Sequence, residues 1–352
     1  MTVSSPKKPT IIDVAKVAGV SKTTVSHVIN NSRFVEAATR DRVLQAIGQL
    51  KFSPNSIARS LAGNKTNTIG LLISDVGNPF YHNVILGVEE VALANANTIF
   101  LFNANYDVGR SLSFIRSMIS RKVDGVILMS SRLDQFIIKE VEANNLEAVI
   151  VDYNGESTTK IGKVIIDFEP GIRQMVTHLL LLGHKRFAFV GEDSGISTAS
   201  VRRDLFLRIL GENKIGTEDI LICNGNFRID GGRAALHTIL SSSKNPTAVF
   251  AVNDMTAIGI IQEAQDIGMT IPRDLTVIGV DNIDLGKDIR PHLTTIEIPG
   301  YELGKLSMKL LLGMLASPRN RGNSGDVRSQ STVDTNLIVR STTAPPPLVV
   351  KV

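Results

Sequence analysis

The chain has 352 residues, 43% of them apolar and 20% charged, with a formal net charge of +4 and a single cysteine, Cys223. That length holds one small and one large domain or three small ones, in the composition range of ordinary globular proteins. One cysteine excludes a disulfide framework within the chain and a multi-cysteine zinc site. No segment reaches the roughly 18 consecutive apolar residues of a membrane span. The start, MTVSSPKKPT, has two lysines with no apolar run behind them, so no secretory signal is expected and the cytoplasm is the expected compartment.

The charge is unevenly spread. Residues 1–65 hold ten Lys and Arg against three Asp and Glu, a net of +7, and residues 66–352 carry about −3. A basic head on a mildly acidic body points to a nucleic-acid reader joined to a regulatory or catalytic domain. In the head, Thr10 with Asp13 three residues on has the spacing of a capping box, and Ile12, Val14, Ala15 and Ala18 follow on an amphipathic helix. Gly19-Val20-Ser21 breaks it, and Ser21 caps a second helix from Lys22 to about Ile29. A third, roughly Ala37–Leu50, puts Val43, Leu44, Ile47 and Leu50 on one face. Two short helices joined by a glycine turn are the helix-turn-helix pattern. At 100° per residue, Val25, Val28 and Ile29 of the second helix face inward. Thr23, Ser26, His27 and Asn30 face out with Lys22 at the flank, small hydrogen-bonding groups suited to base edges in a major groove. A solvated polar face is the plainer alternative.

Next, SPNSIARSLAG carries a serine cap, a proline at the first helical position and a glycine stop, so a helix of about eight residues is expected there. So short a helix is unstable alone. The body alternates apolar, β-branched runs (Thr68–Ile73, Asn97–Phe102, Gly125–Met129, Ala148–Val151, Phe187–Val190, Ala248–Val252, Thr276–Val280) with helical stretches such as Phe80–Ala96, Gly109–Lys122, Gly171–Leu182 and Met255–Gly268. That rhythm, repeated in two halves, predicts doubly wound parallel sheets. Ligands in such folds sit beyond the carboxyl ends of strands. There lie Asp75, Asn78, Phe80, Tyr81, Ser130, Arg202, Phe227, Asn253 and Asp281, amide, carboxylate, guanidinium and aromatic groups suited to a sugar. Asn253 and Asp281 also fit as caps, Phe227 as core and Arg202 as a surface ion-pair partner.

No GxGxxG follows a strand, no GxxxxGK[ST] or HExxH occurs, and the histidines are scattered, so no enzyme, cofactor or metal is expected. His184 reads as a helix-end cap. Residues 316–331 read as a loop. STTAPPPLVVKV reads as a flexible tail without the apolar heptads of a tetramerising helix, so a dimer is expected.

TIIDVAKVAGVSKTTVSHVINNSRFVEAATRDRVLQAI with SPNSIARSLAGNKTNTIGLL, then DVGNPFYHNVILGVEE, RKVDGVILMSS, LLGHKRFAFVGE, PTAVFAVNDMTAIGII and IPRDLTVIGVDN, resembles the lactose-repressor family of bacterial transcription regulators over nearly the whole chain. TTVSHVIN and SRFV are most similar to its purine and ribose repressors. The resemblance implies a small all-α helix-turn-helix head joined by a hinge helix to an α/β two-lobed body like a periplasmic binding protein. The implied layout is a disordered start (1–9), the DNA-binding domain (10–52), hinge helix and linker (53–66), effector-binding and dimerisation domain (67–340) and flexible tail (341–352). It assigns base reading to Lys22, Thr23 and His27 and a minor-groove wedge to Leu61. Ser26, Asn30, Arg33, Arg59 and Ala62 complete the expected DNA set. It supports Phe80 or Tyr81, Arg202, Phe227, Asn253 and Asp281 as effector contacts. The chain departs from the family at Phe168, at Leu205-Phe206, and at Ile196, where the purine repressor has an effector arginine. The implied function is a repressor, homodimeric on a palindromic double-stranded operator and controlled by a small-molecule effector, a sugar leading, with no membrane partner. The alternatives are a soluble sugar-binding protein or a sugar-acting α/β enzyme with a basic N-terminal extension.

Overall fold

The structure, a computed structural model, describes residues 9–30, 33–52, 65–130, 135–153, 161–191, 198–316 and 330–347. The expected hinge helix, with Arg59, Leu61 and Ala62, lies outside the described residues, as does Ile196. The chain divides into two compact units, Met1–Thr66 and Asn67–Val352.

The head unit holds α1 (Ile11–Ala18), α2 (Lys22–Asn30) and α3 (Ala37–Leu50). The Asp13 carboxylate accepts from the Thr10 backbone N–H at 2.8 Å and from its hydroxyl at 2.7 Å, which fixes the start of α1. Gly19 ends α1 in the left-handed region (φ 65°), a conformation glycine adopts at little cost. Ser21 Oγ accepts the Thr24 N–H at 3.0 Å and so caps α2. Val14, Val25, Val28, Val43 and Ala46 form the core. Leu44, expected on the inward face of α3, is exposed, and Ala46 takes its place, because a three-helix core this small admits only a narrow stripe of α3.

The body holds two six-stranded sheets, ordered β11-β5-β4-β3-β1-β2 and β12-β10-β9-β8-β6-β7. Lobe 1 contains β1 (Thr68–Ile73), α4 (Phe80–Ala94), β2 (Thr98–Asn103), α5 (Val108–Ser120), β3 (Gly125–Met129), α6 (Gln135–Ala143), β4 (Glu147–Val151) and β5 (Ile161–Asp167). Lobe 2 contains α7 (Glu169–Leu181), β6 (Phe187–Gly191), α8 (Thr198–Glu212), β7 (Ile220–Asn224), α9 (Ile229–Ser241), β8 (Ala248–Ala251), α10 (Asp254–Asp266), β9 (Thr276–Asp281), α11 (Asp284–Asp288) and β10 (Thr294–Glu297). The chain then returns to lobe 1 with α12 (Gly300–Ala316) and β11 (Gln330–Asp334) and ends in lobe 2 with β12 (Asn336–Ile338). All pairings are parallel except β10 with β12. Strands buried on both faces, such as β3 and β9, are what parallel sheets covered by helices require.

The chain therefore crosses between lobes at Phe168, at Ile298–Pro299 and at Thr335. The crossings are tied together: Thr335 Oγ1 donates to the Asp167 carbonyl at 2.8 Å, and Asn336 Nδ2 donates to Glu297 Oε2 at 3.4 Å.

Two expectations for the C-terminal region are corrected. Residues 316 and 330–331, expected in a loop, belong to α12 and β11. Residues 341–347, expected to be a flexible tail, are held on lobe 2: the Thr342 carbonyl accepts from Val277 N–H at 3.0 Å, Thr342 Oγ1 accepts from Thr294 N–H at 2.8 Å, and His184 bonds the Ala344 carbonyl at 2.9 Å. A proline-rich segment cannot form a regular helix, but its carbonyls and the interleaved threonines still bond the N-terminal ends of β9 and β10.

Candidate functional site

In the head, α2 presents the expected polar face. Lys22, Thr23 and Asn30 are exposed and Ser26 and His27 half-buried, opposite the buried Val25 and Val28. Asn30 Nδ2 donates to Ser26 Oγ at 3.2 Å, which orders the C-terminal end of that face. Arg33 is exposed just beyond the helix.

In the body, the expected effector residues lie where their strands end. Asn78, Phe80, Tyr81 and Ser130 come from lobe 1 and Arg202, Phe227, Asn253 and Asp281 from lobe 2, and all eight are buried. The lobes meet directly here, with Asn78 Nδ2 donating to Asp281 Oδ2 at 3.2 Å. Asn78 Oδ1 also accepts the Phe80 N–H at 3.0 Å, which aims its amide across the cleft. Phe80 and Tyr81 pack edge to face with centroids 5.3 Å apart.

Asp281 is held by a braced turn. Its φ is +117° and that of Asn282 is +57°, backbone that non-glycine residues keep only under constraint. Asp254, fully buried, supplies the constraint by accepting from Ile283 N–H at 2.9 Å and Thr295 Oγ1 at 2.5 Å. Burial, then the neighbouring Asp281 charge, pushes the Asp254 carboxyl well above the usual range. Asn282 Nδ2 donates to Glu297 Oε1 at 2.8 Å, and Arg340 donates to Asn282 Oδ1.

Arg202 is 7% exposed. Its Nη1 donates to the Val252 carbonyl at 2.5 Å, its guanidinium carbon stands 4.5 Å from the Phe168 ring centroid, and its Nε–H has no hydrogen-bond partner among the described residues. An unpartnered buried donor is costly, so this N–H is open to an acceptor from a ligand, an ion or a water. Burial pushes the carboxyls of Asp152 and Asp281 up to about 6, the Arg202 charge opposing the shift in both and the Asn78 hydrogen bond in Asp281. Asn253 is occupied within the protein. Its Oδ1 caps α10 through Thr256 N–H at 2.9 Å, and its Nδ2 holds the Phe227 carbonyl at 2.9 Å. It places Phe227, whose ring stacks on Tyr106 with centroids 5.2 Å apart and planes 14° apart. Burial raises the Tyr106 phenol, and the nearby Tyr81, Asp75 and Asp281 reinforce it, so it stays a hydrogen-bond donor.

Reading the sequence by strand ends missed Asp152, Tyr106 and Arg228, while Phe168 entered only as a departure from the family pattern. Asp152 directly follows β4 and Tyr106 lies three residues past β2, so the same rule, applied to every strand, reaches both. Phe168 is the platform on which the Arg202 guanidinium stacks. Phe206 does not line the cleft. It packs in the lobe 2 core against Phe187, Phe189 and Phe250. Among the described residues, no group of three or more His, Cys, Asp or Glu could hold a metal ion, and no helix is long and apolar enough to cross a membrane.

The family model for bacterial regulatory proteins of the lacI family matches residues 10–55, and that for a periplasmic binding protein-like domain matches residues 176–343. Catabolite control protein A of Priestia megaterium is 36% identical over 304 residues, 86% of this chain and 91% of its own. The HTH-type transcriptional repressor PurR of Aliivibrio fischeri (strain MJ11) is 37% identical over 306 residues, 86% and 90% of the two chains. Among solved structures, the lac repressor dimer bound to operator and the anti-inducer ONPF superposes with a TM-score of 0.82 at 26% identity, covering 96% of this chain and 100% of that one. A LacI family transcriptional regulator from Enterococcus faecium with bound ribose gives 0.70 at 29% identity, covering 79% and 99%. With a helix-turn-helix head, a two-lobed α/β body and relatives of this identity along most of its length, the chain belongs to the lacI family of bacterial regulatory proteins, DNA-binding transcription regulators governed by an effector.

Proposed function

We propose that this regulator is a repressor that binds a palindromic operator as a homodimer, and that its effector is a small neutral polyhydroxylated molecule, a sugar, held between the lobes. The observation that carries the reading is the meeting of Asn78 and Asp281 across the cleft with the unpartnered Nε–H of buried Arg202 in the same site. A sugar hydroxyl both donates and accepts, so one ring satisfies Asp281 or Asp152 as acceptors and Arg202 as donor, while its C–H face lies on an aromatic ring. With two carboxyls near one buried arginine, an anionic ligand is disfavoured. The ribose-bound relative supports the same ligand class.

The lobes respond as a two-state element, and an effector shifts them only by its differential affinity for the two arrangements. Head and body are joined through residues 53–66, so the state of the body reaches DNA through that segment. Lys22, Thr23, Ser26, His27 and Asn30 read base edges, with Arg33 and the hinge residues Arg59, Leu61 and Ala62 adding contacts. The test is gel-shift of the full-length protein on a set of palindromic operators, with D-ribose, other neutral sugars, sugar phosphates and purine bases added separately. A neutral sugar alone is expected to change operator affinity. Response only to a purine or a phosphate contradicts the sugar, and failure to bind any palindrome contradicts the palindromic, dimeric operator.

A further inference from the structure

Beside the Asn78–Asp281 contact, and sharing Phe227 with the effector site, a second set of contacts joins the lobes. Asp75 follows β1 and Asn105 and Tyr106 follow β2, all in lobe 1, while Phe227 and Arg228 lie between β7 and α9 in lobe 2. Arg228 donates to Asp75 Oδ2 from Nη2 at 2.8 Å and from Nε at 3.0 Å, and its Nη2 also donates to Asn105 Oδ1 at 2.5 Å. Its guanidinium carbon stands 5.4 Å from the Tyr106 ring centroid, and that ring stacks on Phe227.

Both sides are set in advance by their backbones. Asn105, Tyr106 and Phe227 have φ of 54°, 57° and 63°, and none is glycine. The Tyr106 N–H donates to the Ser74 carbonyl at 3.2 Å, Asn253 holds the Phe227 carbonyl, and the Arg228 N–H donates to Asn226 Oδ1 at 3.1 Å. A half-exposed ion pair contributes little by itself, and Arg228 is 42% exposed. Here a guanidinium that bridges two acceptors also lies over an aromatic ring, and that ring is stacked on a second one.

We propose that Arg228 and Tyr106 are positioning residues of the effector site, forming with Asp75, Asn105 and Phe227 an interlobe clamp that sets the separation of Asn78 and Asp281. The proposal rests on the cleft being the effector site. When the clamp is closed, one face of Phe227 is covered by Tyr106. A planar base cannot enter between the two rings without parting the lobes, and a sugar meets Phe227 on its free face or edge. When the clamp is broken, the lobe 1 and lobe 2 halves of the site separate and the effector has to close them itself.

The test uses the full-length protein with spin labels at Lys139→Cys on α6 and Thr238→Cys on α9, both exposed, reading lobe separation by pulsed electron resonance. Arg228→Ala and Asp75→Ala are each expected to shift the distribution to longer distances, and the two together no further than either one. The exchanged pair Asp75→Arg with Arg228→Asp is expected to restore the short distance, and Asn105→Ala to give a smaller shift than Arg228→Ala. In parallel, the D-ribose concentration at half-effect on operator binding should rise at least threefold in each alanine variant. Unchanged distances in both single variants, or additive shifts in the double variant, overturn the clamp. If D-ribose acts on no variant, wild type included, ribose is excluded as the effector while the distances still decide the clamp.

Discussion

Asp281 and Asp152 carry carboxyls that burial raises from the ordinary 3.8 to about 6. A raised carboxyl is harder to ionise in the folded body, so its ionisation costs stability above about pH 6. That cost is relieved as pH falls from about 6 toward 3.8. Effector binding has the opposite sign, because a ligand hydroxyl is best accepted by the charged form. Effector affinity should be flat above about pH 7 and fall below pH 6, by up to about tenfold per pH unit for each carboxylate that must ionise. Titration calorimetry of the active sugar across pH 5–8 reads this, and affinity that does not change with pH removes both carboxylates from the ligand. In the head, His27→Ala should relax base preference at one position per half-site, costing about 1–3 kcal/mol of discrimination. Equal loss on every operator variant would show His27 to contact the backbone instead.

At the scale of elements, close helix crossings hold each lobe. A Cβ on Gly87 would meet the Tyr301 carbonyl and one on Gly304 the Val84 carbonyl, so α4 and α12 touch backbone to backbone, as α9 and α10 do at Gly232 and Gly259. Gly304→Ala should destabilise the body by about 1–3 kcal/mol or more, since neither backbone can yield, and thermal melting reads it. Ser21→Ala should cost the head about 1 kcal/mol through the lost cap of α2. Unchanged melting in either variant would show the contact to be dispensable. The three head helices and most strands of the two sheets were legible because caps and apolar periodicity are local signals. β5, with a lysine and an aspartate among its apolar residues, lacked the continuous run of β3, while β10 and β12 are four and three residues long and owe their pairing to neighbours distant in sequence. The strand-end rule reached Asn78 and Asp281, but a sequence cannot show that Asn253 spends its amide on Phe227 or that Phe168 lies under Arg202. Those facts depend on which loops the two sheets bring together.

At the scale of the whole molecule, the +7 carried by residues 1–65 and the −3 carried by the rest divide the labour. Operator affinity should fall steeply with salt, the slope of log affinity against log salt being about −0.9 per neutralised phosphate, while effector affinity for the neutral ligand should scarcely change. The central claim is that the effector is held between the lobes by Asp281 and that its occupancy changes operator binding. The most direct test is operator affinity of the wild type and of Asp281→Asn, each with and without a saturating concentration of the active sugar. The substitution keeps the shape and removes the charged acceptor. Without sugar, both proteins should bind the operator equally. With sugar, only the wild type should change its affinity. An Asp281→Asn protein that responds at the same sugar concentration as the wild type would contradict the placement of the effector between the lobes.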